Sequence, residues 1–298
     1  MTVNNEHVTQ IEEKSIYLLR ESFHHFKGRI SMLWSVGKDS TVMLHLVKKA
    51  FKGQVPFPLM HIDTSFKIPE MIEFRDRVVK AQKLDMIVGR NSEVLKKNLS
   101  FPAGSLTRLE CCQALKTRSL IDTSEALVRR ERFNHQSQKY EQDSKNEAFK
   151  ALIMGIRADE EGSRSKERYF SVRSKDSSWK IEDMPPELWD EFNTDLPAEQ
   201  SCRIHPLLDW SEKNIWEYIA QENIEVSNLY FDRGTGERYR SLGCAPCTQK
   251  IKSTAKNAFD IIAELSHGEL AKLSERAGRA QDKENGNSLE ALRRKGYM

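Results

Sequence analysis

Six consecutive residues, Ser35-Val36-Gly37-Lys38-Asp39-Ser40, interrupt an apolar run that ends at Trp34 and resumes after Thr41. Their types suit an anion. Backbone N–H groups around Gly37 can face a phosphate, a helix start favours negative charge, and Lys38 adds a point charge. Ser35 and Ser40 add hydroxyl donors. Asp39 would repel a bare phosphate, so a Mg²⁺ bridge is the natural reason for a carboxylate there. The stretch is not a Walker A loop, because the two glycines separated by four residues ahead of Lys-Ser/Thr are missing. An ordinary strand-to-helix turn is the plainer alternative. Lys38 and Asp39 are expected on an exposed loop.

A second stretch, GIRADEEGSRSKER at 155–168, directly follows an apolar segment. Gly155 allows close backbone approach. Arg157, Arg164 and Arg168 suit bidentate contact with phosphate or sulfate-like oxygens. Asp159 and Glu160 either balance these arginines or hold Mg²⁺. A surface charge network is the competing reading, and the preceding apolar strand weakens it.

The third group is the cysteines, Cys111, Cys112, Cys202, Cys244 and Cys247. An odd number in a cytosolic chain argues against a disulfide framework. Four of them form two tight pairs, an arrangement suited to a metal. Cys202 has no partner in sequence and reads as a core residue.

The elements that must position these groups are legible in the hydrophobic spacing. Ile11, Ser15, Leu18, Leu19, Ser22, Phe23 and Phe26 recur at helical intervals until Gly28. Strands are predicted at 30–34, 58–62, 86–88, 152–156 and 203–205. Helices are predicted at 41–50 and 68–83, the latter with Met71, Phe74, Val78 and Ala81 on one side. Strands alternating with helices imply an α/β fold, a parallel sheet flanked by helices. Ligands on such sheets bind beyond the carboxyl ends of the strands, where the 35–40 loop lies.

Residues 129–148 are polar and nearly free of aliphatics, and read as an exposed helix or a mobile insertion. The strand-helix rhythm stops near residue 225. This divides the chain into a nucleotide-binding domain over 1–225 and a C-terminal region over 226–298, which carries Cys-x-x-Cys and a polar end. Composition alone reads that end as a solvated tail as readily as a docked one. With 31% charged residues and a mean hydropathy of −0.64, the chain has a large wet surface. No apolar run approaches the roughly 18 residues of a membrane span, and the N-terminus lacks the pattern of a secretory signal. A soluble cytoplasmic protein without membrane contact is expected. The net charge of +3 is too small to argue for nucleic acid by itself.

Ser35 to Ser40 resembles the pyrophosphate loop of the adenine nucleotide alpha-hydrolase superfamily, usually SGGxDS, with Val36 in place of the middle glycine. The wider chain resembles the small subunit of bacterial sulfate adenylyltransferase. That likeness rests on SVGKDSTVMLHL, PFPLMHIDTSFKIPEMIEFRD, GIRADEEGSRSKER, PELW, RIHPLLDWSEKNIWEYI and SLEALRRKGYM. The resemblance implies a Rossmann-like, adenine nucleotide alpha-hydrolase-like fold. It implies ATP phosphates cradled by Ser35, Gly37, Lys38, Asp39 and Ser40. It places His61 and Asp63 near the ribose and adenine, and Arg157, Asp159, Glu160, Arg164 and Arg168 around the site.

The cysteines depart from that subunit's pattern. Cys111-Cys112-Gln-Ala-Leu-Lys116 and Gly243-Cys244-Ala-Pro-Cys247-Thr248 resemble the iron–sulfur motifs CC-x-x-x-K and GCxPCT of assimilatory adenylylsulfate reductases. By that likeness Cys111, Cys112, Cys244 and Cys247 hold a [4Fe-4S] cluster. Structural Zn²⁺ and buried unliganded thiols are the alternatives. Those reductases also need a nucleophilic cysteine near the C-terminus, and none is present after Cys247 here.

Three functions are therefore weighed. One is an iron–sulfur ATP pyrophosphatase that adenylates an acceptor for sulfur transfer. It resembles the ATP pyrophosphatases of DNA phosphorothioation systems, above all that of the single-strand system. This implies a cysteine desulfurase as sulfur donor and DNA as acceptor. The alternative is a sulfate adenylyltransferase small subunit with a GTPase partner subunit. A non-catalytic nucleotide-binding scaffold leaves the arginines and the paired cysteines without work. A homo-oligomer is compatible with each.

Overall fold

The computed structural model describes residues 5–161, 164–179, 187, 191–192, 194–268, 270, 275 and 294. Of the stretches that carried the resemblance, PELW and SLEALRRKGYM lie outside the described residues except for Glu187 and Arg294. Eight strands form one sheet in the order β5-β4-β3-β2-β1-β6-β8-β7. They are β1 (Ile30–Leu33), β2 (Leu59–Ile62), β3 (Met86–Gly89), β4 (Glu131–Asn134), β5 (Lys139–Gln142), β6 (Ala151–Ile153), β7 (Phe170–Arg173) and β8 (Ser201–Ile204). The central five, β3-β2-β1-β6-β8, run parallel. Antiparallel strands close both edges. The sheet is thus mostly parallel, as the strand-helix rhythm predicts, with edges that the rhythm does not reveal.

Side chains alternate across the sheet with the two-residue period of a strand. Met32, Leu59, Met86, Val88 and Ile153 join the larger core. Helices α1 (Asn5–His25), α2 (Lys38–Ala50), α3 (Pro69–Ala81) and α7 (Glu212–Gln221) pack into it. Short helices α4 (Ser92–Lys96), α5 (Arg108–Cys112) and α6 (Ser119–Ser124) lie between β3 and β4 in the chain. Leu33, Met60, Ile87 and Leu152 point to the opposite face, into a smaller cluster with Leu120 of α6. The polar Ser15 fits the apolar side of α1 because its hydroxyl donates to the Pro206 carbonyl at 2.7 Å and accepts from Trp210 Nε1 at 3.0 Å. On α3, Met71, Phe74 and Val78 are buried as the spacing predicts. Ala81 is exposed, because the helix ends there and turns outward.

The polar stretch 129–148 is neither a helix nor an unstructured insertion. It forms the β4–β5 hairpin on the β3 edge. Its few apolar residues hid the alternation, and buried charge holds it instead. Arg130 Nε donates to Asp143 at 2.7 Å, with both side chains wholly buried, and Arg132 Nε donates to the same carboxylate at 2.8 Å. Burial pushes the Asp143 carboxyl up, but hydrogen bonds from Arg132 and Arg130 outweigh it and hold the carboxyl below the usual range. This stabilisation is present at neutral pH and is lost as acid titrates through the depressed value. Asp143→Asn leaves two arginines short of a charge. It is expected to cost about 3 kcal/mol in denaturant unfolding at pH 7, and less as the pH falls.

The chain after 225 adds a two-stranded ribbon, β9 (Glu237–Tyr239) with β10 (Lys250–Lys252), and helix α8 (Ala258–His267). Ile261 and Ile262 of α8 enter the larger core. The described residues near the polar end are docked. The Leu270 carbonyl accepts from Arg240 at 3.1 Å, and the Arg294 carbonyl accepts from Trp179 N–H at 3.0 Å. No helix among the described residues is long and apolar enough to cross a membrane.

Candidate active site: a switch-point pocket beside four cysteines

Strands β2 and β6 flank β1 on opposite sides, so the crevice between the β1 and β6 carboxyl ends is the topological switch point. Residues 35–40 come after β1 there, and residues 154–160 come after β6. The two segments touch. A Cβ added at Gly155 would lie 3.1 Å from the Ser40 nitrogen and 3.2 Å from the Asp39 carbonyl carbon, so only glycine fits without a shift. A pocket opens at this point. Its walls include Ser35, Gly37, Asp39, Ser40, Gly155 and Arg164, and it also takes in Lys116, Tyr230 and Glu275.

The helix begins earlier than the spacing predicts. Gly37 is the N-cap of α2, so Lys38, Asp39 and Ser40 occupy its first turn rather than a loop. Their polar side chains masked the start. Lys38 is 1% exposed, which corrects the expectation of an exposed lysine. Its backbone N–H donates to the Tyr230 hydroxyl at 2.8 Å. Val36, where the resemblance has glycine, adopts φ 69° and is buried in the larger core. A β-branched residue in the left-handed region stores strain of about 1–3 kcal/mol, and its apolar contacts offset this. The backbone here takes a conformation that favours glycine although the residue is valine.

A charge network underlies the pocket floor: Asp39, Glu160, Arg164 and Glu275 line the pocket, and Lys38, Arg157 and Asp159 back them without reaching its wall. Lys38 Nζ contacts Asp39 at 3.3 Å and Glu275 at 2.5 Å. Arg157, wholly buried, pairs with Asp39, with Asp159 at 2.9 Å and with Glu275 at 2.5 Å. Burial opposes the Arg157 charge, but Glu275, Glu160 and Asp159 outweigh it and hold the guanidinium firmly protonated. Arg164 pairs with Glu160. Asp159 also accepts from the Glu212 N–H at 2.8 Å, at the start of α7.

His61, Asp63 and Arg168 are likewise absent from the pocket wall, although Ile62, between the first two, is part of it. His61 is fully buried and is not part of the pocket wall. Its Nδ1–H donates to the Trp34 carbonyl at 2.9 Å. Burial first, then the charges of Lys67 and Arg75, push its pKa well below the usual imidazole range, so it stays neutral. Asp63 comes directly after β2, accepts from Ser65 N–H at 2.7 Å and faces Arg90 at 3.6 Å, also outside the pocket wall. Arg168 is half-buried, outside the wall as well, and its carbonyl accepts from His205.

The four paired cysteines share one cavity with Thr64, Phe66 and Lys116. Cys111 and Cys112 end α5, which begins with a capping box between Thr107 and Glu110. A π-helical turn, Gln113–Arg118, carries Lys116 and leads into α6. Cys244 and Cys247 flank a tight turn closed by Cys247 N–H to the Cys244 carbonyl at 2.9 Å. The segment after β2 holds that turn in place. Ala245 N–H donates to the Phe66 carbonyl at 2.7 Å, and Thr64 Oγ1 lies 3.2 Å from Cys244 Sγ. Burial pushes the Cys111 and Cys247 thiols up, neighbouring thiols add to this, and Lys116 acts against it. Among the described residues, no three His, Cys, Asp or Glu side chains are close enough to hold a single metal ion. Four thiols facing one cavity beside a lysine are a donor set suited to a group larger than one ion. Cys202 lies in the core on β8, and burial pushes its thiol up strongly.

Lys116 lines both the pocket between β1 and β6 and the cysteine cavity. Sequence reasoning placed it inside the CC-x-x-x-K motif but gave it no role at the pocket. Tyr230 and Glu275 were missed, since nothing in their local sequence ties them to residues 192 and 237 positions away.

Comparison with known proteins places the chain among relatives of similar length. Residues 29–250 match the phosphoadenosine phosphosulfate reductase domain family. The chain is 36% identical to sulfate adenylyltransferase subunit 2 of Rhizobium tropici, over 98% of this chain and 93% of that one. It is 38% identical to the subunit of the same name from Pseudoalteromonas translucida, over 98% and 99%. Among solved structures, phosphoadenylyl-sulfate reductase from Candida auris superposes with a TM-score of 0.50 at 16% identity, covering 84% of this chain and 99% of that one. This last likeness concerns the fold alone.

Proposed function

Because the chain belongs to the phosphoadenosine phosphosulfate reductase domain family, we propose that it cleaves ATP between the α and β phosphates and adenylates an acceptor oxygen for sulfur transfer. The observation that carries this reading is the junction of the two sites. A phosphate-type pocket and a four-cysteine cavity meet at Lys116.

The chain's own groups have definable tasks. The start of α2, with Lys38 and the hydroxyls of Ser35 and Ser40, holds the phosphates. An acceptor oxygen attacks the α-phosphorus, the bond to the bridging oxygen breaks, and pyrophosphate leaves. Lys38, Arg157 and Arg164 offset the charge that builds up on the leaving group. Asp39, Asp159 and Glu160 are the carboxylates available to Mg²⁺ arriving with ATP. Cys111, Cys112, Cys244 and Cys247 would hold a [4Fe-4S] cluster, which supplies an iron site for binding reactive sulfur near the adenylated acceptor. In the second half, the outer sulfur of a donor persulfide attacks the activated phosphorus and AMP departs with the former oxygen; a thiol reductant then cleaves the S–S bond of the resulting P–S–S linkage, leaving the thiophosphate and a disulfide. The acceptor proposed is a DNA backbone phosphate, with a cysteine desulfurase as donor. The four cysteines and the likeness to phosphorothioation ATP pyrophosphatases support this choice.

The second reading is a sulfate adenylyltransferase subunit with a GTPase partner. The names of the full-length relatives, at 36% and 38% identity, favour it directly. One experiment separates the two. Anaerobically purified protein is given ATP and Mg²⁺ alone, with sulfate and a GTPase subunit, or with DNA. AMP and pyrophosphate in a DNA-stimulated reaction are expected. Adenylylsulfate formed only with sulfate establishes the second reading, and ADP with orthophosphate defeats both.

A further inference from the structure

The Glu275 carboxylate occupies the place where an anionic ligand would meet Lys38 and Arg157. One oxygen accepts from Lys38 Nζ at 2.5 Å, the other from Arg157 Nη2 at 2.5 Å. The residue is 8% exposed and lines the nucleotide pocket. Burial pushes its carboxyl up, but Lys38 and Arg157 outweigh this and keep it ionised. A carboxylate accepting from a lysine with one oxygen and from an arginine with the other has the sign of charge and the acceptor arrangement of a bound phosphate group.

This arrangement competes with any phosphate group that would meet the same two cations. Lys38 and Arg157 already meet three carboxylates, Asp39, Asp159 and Glu275. Lys67, Lys116 and Arg164 line the same pocket, so the conflict is confined to this floor, where two cations face three anions. A phosphate group that is to reach Lys38 and Arg157 directly meets repulsion there unless a carboxylate leaves or takes up a cation. Asp39 is fixed in the first turn of α2, and Asp159 is tied to the Glu212 N–H. Glu275 comes from 237 residues beyond Lys38, and its hydrogen bonds to the described residues are the two to these cations. It is the carboxylate whose departure disturbs least.

We propose that Glu275 is a built-in anion that fills the phosphate position while nucleotide is absent and is displaced when ATP binds. Resting on the ATP reading above, this adds a competition within the chain. The filled form keeps two buried cations neutralised, at a cost to apparent nucleotide affinity. A filled-to-open ratio of about ten to one weakens ATP binding about ten-fold.

The test compares ATP binding, by calorimetry with Mg²⁺, in the wild-type chain and in Glu275→Gln. The amide keeps the shape and removes the charge. Binding about ten-fold tighter in the variant is expected. Unchanged or weaker binding overturns the proposal, and weaker binding with slower pyrophosphate release would make Glu275 a positioning residue for Lys38 and Arg157. A measurement on the wild-type chain covers the case in which the variant does not fold. Hydrogen exchange of the peptide containing residue 275 should speed up on ATP addition, and protection there instead overturns the proposal. If the wild-type chain binds no ATP, the nucleotide reading falls and this inference with it. If it binds ATP without either effect, only this inference falls.

Discussion

Lys38→Ala is expected to slow pyrophosphate release from ATP by about 10²–10³-fold, the typical loss when one preorganised charge-stabilising donor is removed from a reaction centre. Lys38 is buried, stands at the start of α2 and lies at the floor where two carboxylates already converge on it. Its ammonium opposes the charge that grows on the departing pyrophosphate. A pyrophosphate-coupled assay at saturating ATP reads the effect as a fall in kcat. The fold should persist, because the larger core around α2 is built from Val42, Met43, Leu46 and Val47. A variant that keeps more than about a tenth of the wild-type rate would remove Lys38 from the mechanism.

Cys244→Ser is expected to remove bound iron almost completely. If the site holds [4Fe-4S], the wild-type protein purified without oxygen is brown, with about four iron and four sulfide per chain. The variant should be colourless, with about one iron or fewer. Cys244 is the cysteine whose turn is tied to the segment after β2, so its loss removes a ligand and also loosens that anchor. Sulfur incorporation into the acceptor should cease, read by mass spectrometry of nuclease-digested DNA for phosphorothioate-linked dinucleotides. ATP binding should survive, since the α2 turn is a separate element. Cys202→Ser should leave metal content unchanged, because Cys202 is packed in the core. A wild-type protein that is colourless and carries one zinc ion would defeat the cluster.

The parallel centre of the sheet was legible because its strands are short apolar runs separated by helices of regular period. The hairpin over 131–142 was not, because its stability comes from Arg130, Arg132 and Asp143, and charged residues at those positions look like surface. The start of α2 was missed by three residues for a related reason. Lys38 and Asp39 are polar, yet the fold buries the first and half-covers the second. At the pocket, Gly155 was readable from residue type alone, since close backbone approach constrains type, and the 35–40 segment was readable as the break between a strand and a helix. Val36 shows the limit of pattern matching, because a left-handed backbone is found at a valine, where residue type gives no sign of it. Tyr230 and Glu275 could not be read, since their roles depend on tertiary placement far along the chain. The cysteine pairs were readable as pairs. Their meeting at one cavity, with Lys116 shared between two sites, needed the three-dimensional arrangement.

The π-helical turn at Gln113–Arg118 sets a rotational phase. A π turn holds about one residue more than the α turn it replaces, so it rotates the helix on its N-terminal side relative to the helix on its C-terminal side. One residue corresponds to about 100° of rotation and about 1.5 Å of rise. Cys111 and Cys112 lie before the turn, Lys116 within it, and Leu120 and Thr123, which seat α6 on the sheet, after it. Thr123 is pressed against Gly89 of β3, where an added Cβ would come within 1.9 Å of Thr123 Oγ1, so α6 has no freedom to turn. The single added residue therefore works as a fixed angular offset. Shortening the turn by one residue, with every cysteine retained, would swing the first pair by about a quarter-turn away from Cys244 and Cys247. The cysteine site is thus encoded by the count of residues between Cys112 and Thr123 as much as by the cysteines themselves.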